Sequence, residues 1–192
     1  MESQMESMFA NVADNPMACG AGLIGMISLA IWPLFRSRSS MLMVYICNNL
    51  AFAVHYGLLE DWTASSMNVL MSVQTLVAIW IAKDERLRWI YYVLMVVLAG
   101  MTFATWYGLP SFFAAMAAAF STIGRMQRNE IALRALVLAS VPFWLAHDIV
   151  VSSMPGFTAD VLSLAIGSTM LLQRLYARYC QEALVGYRAV ES

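Results

Sequence analysis

Two histidines, His55 and His147, are the only imidazoles in this 192-residue chain, and they stand 92 positions apart. The same offset carries Arg36 onto Arg128 and Asn68 onto Asp160, and it aligns an aromatic residue three places before each histidine, Phe52 with Trp144. Imidazole changes charge near neutral pH, so a matched pair beside short polar side chains could gate or protonate a polar cavity. A plainer use is open to the same residues. Each histidine could simply hydrogen-bond the next helix of its own half, tying the second helix to the third and the sixth to the seventh. Asn48 and Asn49 fall in the middle of one apolar stretch and Gln74 lies deep in the next. Uncharged amides offer both donors and acceptors, as a neutral polar solute requires, and they serve equally well as hydrogen-bonding glue between helices. Adjacent helical residues diverge by about 100°, so at most one of the two asparagines is expected to face a central axis. Their aligned positions, Ser140, Val141 and Ile166, give no obvious polar match, and the pocket expected is asymmetric. Asp148 could pair with its neighbour His147 but is expected at the surface.

Other chemistries find little footing. Cys19, Cys47 and Cys180 are isolated and form no C-x-x-C pattern, which argues against a disulfide framework or a metal cluster. Retinal needs a lysine inside a span, and the single lysine, Lys83, falls at a boundary. A b-type haem needs two axial histidines at one depth on facing helices, and the second and sixth helices need not meet. No G-x-S-x-G, H-E-x-x-H or phosphate loop occurs, and the 15 methionines are scattered as packing residues. The expectation is a protein that is not an enzyme and carries no cofactor or metal.

The elements that position these residues follow from composition. The chain is 61% hydrophobic and 12% charged, against roughly 25% charged residues in a soluble domain. That places it in a lipid bilayer, and a net charge of −1 gives no reason to expect a nucleic-acid partner. Seven apolar stretches run at about 18–35, 41–59, 62–82, 87–107, 109–124, 131–151 and 157–175. All 11 Lys and Arg residues fall at one set of alternate loops or the adjoining helix ends: Arg36 and Arg38; Lys83, Arg86 and Arg88; Arg125, Arg128 and Arg134; Arg174, Arg178 and Arg188. The positive-inside rule makes that set cytoplasmic, with the N-terminus out and the C-terminus in. Arg36 and Arg128 thus mark topology. The acidic lead with Glu2, Glu6 and Asp14 lacks the positive n-region of a signal peptide.

An offset of 92 then lays the first three helices on the last three and leaves the fourth over. The fold class expected is all-α and polytopic, with seven transmembrane helices in a 3+1+3 parallel repeat. Its parts are a lead over 1–17, a first bundle over 18–82, a linker helix over 83–107, a second bundle over 108–175 and a cytoplasmic tail over 176–192.

This layout resembles the SWEET, PQ-loop and KDEL-receptor group. Within it the chain looks most like the YgjV-type bacterial inner-membrane proteins, on R-S-R-S-S-M-L-M-V-Y-I-C-N-N-L-A-F-A-V-H-Y-G-L-L at Arg36–Leu59, on Thr63 and Asn68, on W-Y-G-L-P-S at Trp106–Ser111 and on R-A-L-V-L-A-S-V-P-F-W-L-A-H-D at Arg134–Asp148. The resemblance implies a multi-pass inner-membrane protein and no settled substrate. The Pro-Gln pair of the related sugar transporters is absent; Trp32-Pro33 and Gly124-Arg125 occupy the corresponding places, which tells against rocking about paired prolines. The function expected is movement or binding of a small neutral or zwitterionic solute between the bundles. His55, Asn68, His147 and Asp160 would line its outer half, and Asn48, Asn49 and Gln74 its depth. The alternative is a non-transporting membrane subunit packed against a larger complex, a membrane-protein partner or further copies of itself.

Overall fold

A computed structural model describes residues 15–35, 37–81 and 85–191, with side chains for all of these except 33, 81, 85, 87 and 182–191. The acidic lead through Asp14, together with Arg36 and Lys83, lies outside the described residues. The described residues form seven α-helices: α1 Pro16–Ile31, α2 Arg38–Leu58, α3 Trp62–Ile81, α4 Trp89–Ala104, α5 Leu109–Met126, α6 Glu130–Val150 and α7 Met154–Glu191. Short 3-10 turns at Trp32–Leu34 and Glu85–Arg88 close α1 and lead into α4. The stretch assigned to a tail continues as helix, so α7 has 38 residues and extends roughly 57 Å at 1.5 Å per residue.

Local sequence explains the boundaries. Pro16 begins α1 and Pro110 falls in the first turn of α5, where a missing N–H costs nothing. Ser37 caps α2 by accepting from the Ser40 amide, and Asn129 caps α6 by accepting from that of Ile131. Asp61 caps α3 through the Ala64 amide, and Ser153 caps α7 through that of Gly156. Shifted by 92, Ser37 falls on Asn129, Asp61 on Ser153, and the limits of α2 on those of α6.

The α2–α3 and α6–α7 turns also share a backbone. Glu60 and Ser152, again 92 apart, are the two non-glycine residues with positive φ among those described, at 62° and 56°. The amide of Asp61 returns to the Tyr56 carbonyl and that of Ser153 to the Asp148 carbonyl, each at 2.9 Å.

The helices pack as a ring in the order α1, α2, α3, α5, α6, α7, closed by α7 on α1, while α4 rests outside on α3 and α5. Close approach is made with small residues. A Cβ at Gly22 would meet Pro155 and the His55 ring, and one at Gly25 would meet Phe52. Ala114, Ala117 and Ala118 on α5 are fully buried.

The molecule is apolar on its outside, with Phe103 80% and Val96 72% exposed, as suits a surface facing lipid acyl chains. By length and composition, α2, α6 and the Met154–Gln181 part of α7 can cross a membrane, and α1 and α4 are shorter apolar helices. The polar content of α3 and α5 is turned inward. Ser72, Thr75 and Thr122 donate to the carbonyl one turn back, which removes the penalty of an unpaired hydroxyl.

Candidate functional site

One end of the bundle gathers the histidines and the other the arginines. At the histidine end, the α2–α3 and α6–α7 turns reach across to each other's histidine. His55 Nε2 lies 2.8 Å from Ser153 Oγ, and His147 Nε2 lies 2.7 Å from Asp61 Oδ2. The two contacts exchange under the 92-residue shift: each histidine is held by the residue that caps the last helix of the other half. Both histidines thus bridge the halves, where bonds confined to one half were the plainer expectation.

Their chemistry differs. His55 Nδ1 faces the Ala18 carbonyl at 2.7 Å. A carbonyl only accepts, so Nδ1 carries the proton, and the Ser153 hydroxyl can donate to Nε2, a pair of contacts that suits a neutral ring. His147 has a carboxylate at each nitrogen, Asp61 at 2.7 Å and Asp148 Oδ1 at 3.1 Å, and meets both as a donor only when it is imidazolium. Asp61 lies in the turn between α2 and α3. Burial would raise its pKa, but the hydrogen bond and charge of His147, the Ala64 amide and the Tyr107 hydroxyl outweigh burial and hold it below the usual value of 3.8. Tyr107, in the α4–α5 connection, is pushed well above the ordinary tyrosine value by burial and then by the neighbouring Asp61 carboxylate.

The expectation of Asp148 at the surface is overturned. It is 1% exposed. The start of α7 lies over it, and a Cβ at Gly156 would run into its carboxylate. Tyr56 donates to Asp148 Oδ1 at 2.6 Å, and Tyr56 and Asp148 are themselves 92 apart. Tyr56 stacks between Phe52 at 5.6 Å and Trp144 at 6.2 Å. The second and sixth helices therefore do meet, through this layer. Neither histidine has a ring nitrogen left for an axial haem bond.

Beneath the aromatic layer lies a cavity of about 440 Å³ of atom-free space, counting its mouth. Residues 92 apart face each other around it: Tyr45 and Val137, Asn48 and Ser140, Asn49 and Val141, Phe52 and Trp144, Tyr56 and Asp148, Asn68 and Asp160, Met71 and Ser163. Only Leu29 and Gly156 line it without such a counterpart. Both asparagines reach it: Asn48 donates to the Gly25 carbonyl at 3.1 Å, while Asn49 Nδ2 has no protein partner. Asp148 Oδ2 and Asp160 Oδ2 are likewise buried without one. Asn68 donates to the Ala64 carbonyl at 2.9 Å.

The expected site residues thus divide. Asn48, Asn49, Asn68 and Asp160 share the cavity wall. His55 and His147 sit behind its lid rather than in the wall. Gln74 lies elsewhere, in a cluster at the arginine end, where its Oε1 accepts from Arg125 Nη2 at 2.8 Å and lies 2.7 Å from Thr122 Oγ1.

Arg125 and Arg134, counted among the basic residues around the α5–α6 turn, are buried. Arg134 pairs with Glu130 at 2.8 Å, donates to the Phe35 carbonyl and lies over the Trp32 ring. Arg125 sits over the Tyr45 ring at 5.7 Å. It borders a second, smaller cavity with Trp32, Met41, Leu42, Tyr45, Leu133 and Val137. Tyr45 and Val137 line both cavities. Arg128 stays at this end, in the α5–α6 turn.

Tyr56, Asp61, Ser153 and Arg125 escaped sequence reasoning. The 92-residue offset already paired Tyr56 with Asp148 and Asp61 with Ser153, but unlike residue types concealed both matches. Nothing in the sequence distinguishes Arg125 from its surface neighbours.

The family model Imp-YgjV, described as a bacterial inner membrane protein, matches residues 19–178. No curated protein and no solved structure matches the chain.

Proposed function

Since the chain belongs to the Imp-YgjV family of bacterial inner-membrane proteins, we propose that its helices cross that membrane as two parallel three-helix bundles joined by α4. In this reading the cavity between the bundles binds and passes a small neutral or zwitterionic solute. The observation that carries it is the cavity wall, built from residues 92 apart on opposite halves and holding the unpartnered Asn49, Asp148 and Asp160 groups. A buried polar atom without a partner costs about 1–3 kcal/mol, and a polar solute with an acceptor for Asn49 and donors for Asp148 and Asp160 would recover it.

The plan follows that of the SWEET, PQ-loop and KDEL-receptor group. Every Lys and Arg whose side chain is described lies toward the arginine end or beyond it, so the positive-inside rule puts that end in the cytoplasm. The histidine end is then the outer gate, drawn here shut by the His55–Ser153, His147–Asp61 and Tyr56–Asp148 contacts. Transport follows when these contacts part while the packing at the opposite end of the cavity holds, and then the reverse.

The competing reading is an accessory subunit with a sealed core. It draws on the narrowness of the cavity, whose clear space takes roughly two or three water molecules. Single cysteines at Asn48 and Ser163, in a chain with Cys19, Cys47 and Cys180 replaced, separate the two. Membrane-impermeant maleimide should modify them in intact cells or in inverted vesicles. Protection from both sides would establish the sealed core and end the transport reading.

A further inference from the structure

We infer that the central cavity holds an ammonium group against Asp160, which makes its solute the smallest kind of zwitterion, an amino acid with little or no side chain, rather than a neutral molecule. The inference rests on the reading of this cavity as a solute site and decides between that reading's two alternatives.

The cavity wall is polarised between the halves. The first half contributes three amides, Asn48, Asn49 and Asn68, and the second contributes two carboxylates, Asp148 and Asp160. All five are buried. On the carboxylate side the charges do not balance. The positive charge of His147 is shared by Asp61 and Asp148 Oδ1. Three buried carboxylates therefore meet one imidazolium. Asp160 is 4% exposed and has no ion pair among the described residues, and its Oδ2 has no hydrogen-bond partner. Asp148 Oδ2 is also unpartnered, and the two carboxylates lie near enough for their charges to act on each other. An uncompensated charge inside a membrane bundle is costly. A neutral solute could supply hydrogen bonds here but would leave that charge standing. An ammonium group supplies both, as charge-assisted bonds.

The amide side decides against a bare cation. Asn49 is 1% exposed and its Nδ2 has no partner. Asn48 and Asn68 each give one bond to a carbonyl, and an amide nitrogen carries two N–H groups. A metal ion would use the carboxylates and leave these donors facing a positive charge. A carboxylate attached to the ammonium group uses them. The clear space takes roughly two or three water molecules, which suits a body of the size of glycine and leaves no room for a long side chain.

The test uses the purified full chain in detergent at constant sodium and ionic strength. Glycine, its uncharged counterpart glycolamide, methylammonium and acetate are titrated and followed by calorimetry and thermal unfolding. Glycine should bind saturably and raise Tm. Glycolamide and acetate should bind about thirtyfold more weakly or worse, the lower range for losing one partner of a buried charged contact. Asp160→Asn should weaken glycine by a similar factor, and without ligand it should be at least as stable as the wild type, because it removes an uncompensated charge. Asn49→Ala should weaken glycine and leave methylammonium unaltered. If Asp160→Asn does not fold, the comparison of glycine with glycolamide on the wild type decides alone. Equal binding of those two would return the cavity to a neutral solute and overturn the inference. Methylammonium bound as tightly as glycine, glycine binding unchanged in Asp160→Asn, or no saturable binding by any of the four would also overturn it. Maleimide access to cysteines at Asn48 and Ser163 reports on transport alone, so the two readings fail separately.

Discussion

The Tyr56 hydroxyl donates to Asp148 Oδ1 at 2.6 Å, and these two residues occupy equivalent places in the two halves. In the proposed two-bundle arrangement, residues related by a two-fold operation touch only near its axis, so this contact would mark the axis at the aromatic layer, above the cavity and between the histidine clasps. Function in this reading depends on opening that layer and closing it again.

Tyr56→Phe removes one hydroxyl and little volume. Asp148 then keeps His147 but loses a charge-assisted bond, at a cost of about 1.5–3 kcal/mol. The expected result is a lower Tm together with faster labelling of a cysteine at Ser163 from the histidine side. A lower Tm with unaltered labelling would show that the bond stabilises the fold without gating the cavity.

The clasps should respond unequally to the same substitution. His55 acts as a neutral ring with one donor and one acceptor, which glutamine reproduces in part, so His55→Gln should cost about 1 kcal/mol. His147→Gln leaves Asp61 and Asp148 buried without their shared cation, and about 3–5 kcal/mol is expected. Adding Asp61→Asn to His147→Gln should return part of the loss, as coupled neighbours do. Equal losses in the two single variants would refute the assignment of charge.

Asp61 supplies a pH signature. Its pKa is depressed in the folded chain, so its contribution to stability is complete above the unfolded value near 3.8 and is lost as pH falls through the lower folded value. Wild type and Asp61→Asn should differ in Tm across pH 5–7 and converge in more acid solution. A difference that widened on acidification would mean the opposite sign, a carboxyl group bound as the acid.

Gly156→Ala tests the covering of Asp148. The added methyl group would enter the carboxylate, and relief of such overpacking costs about 1–3 kcal/mol. Gly20→Ala is the control, since a Cβ there meets nothing within 4 Å. Similar Tm values for the two variants would show that α7 starts farther from α6 than described.

Much of this architecture is legible in the residues themselves. Charge scarcity and seven apolar stretches give the helices, because a bilayer admits few other ways to satisfy a backbone. The offset linking His55 to His147 and Asn68 to Asp160 anticipates the equivalent turns at Glu60 and Ser152, since a shared turn geometry needs residues at a shared spacing. Local caps at Ser37, Asp61, Asn129 and Ser153 follow from short-range chemistry.

What those residues meet was decided only by tertiary packing. Asp148 reads as a surface residue until the start of α7 covers it. His55 and His147 read as ties within one half until the ring closes and each finds the opposite turn. Arg125 reads as one of the basic residues around the α5–α6 turn until α3 and α5 enclose it. In each case the deciding contact joins residues on different helices, Gly156 to Asp148 and Gln74 to Arg125 among them. Periodicity along one helix carries no information about which neighbour that helix will face.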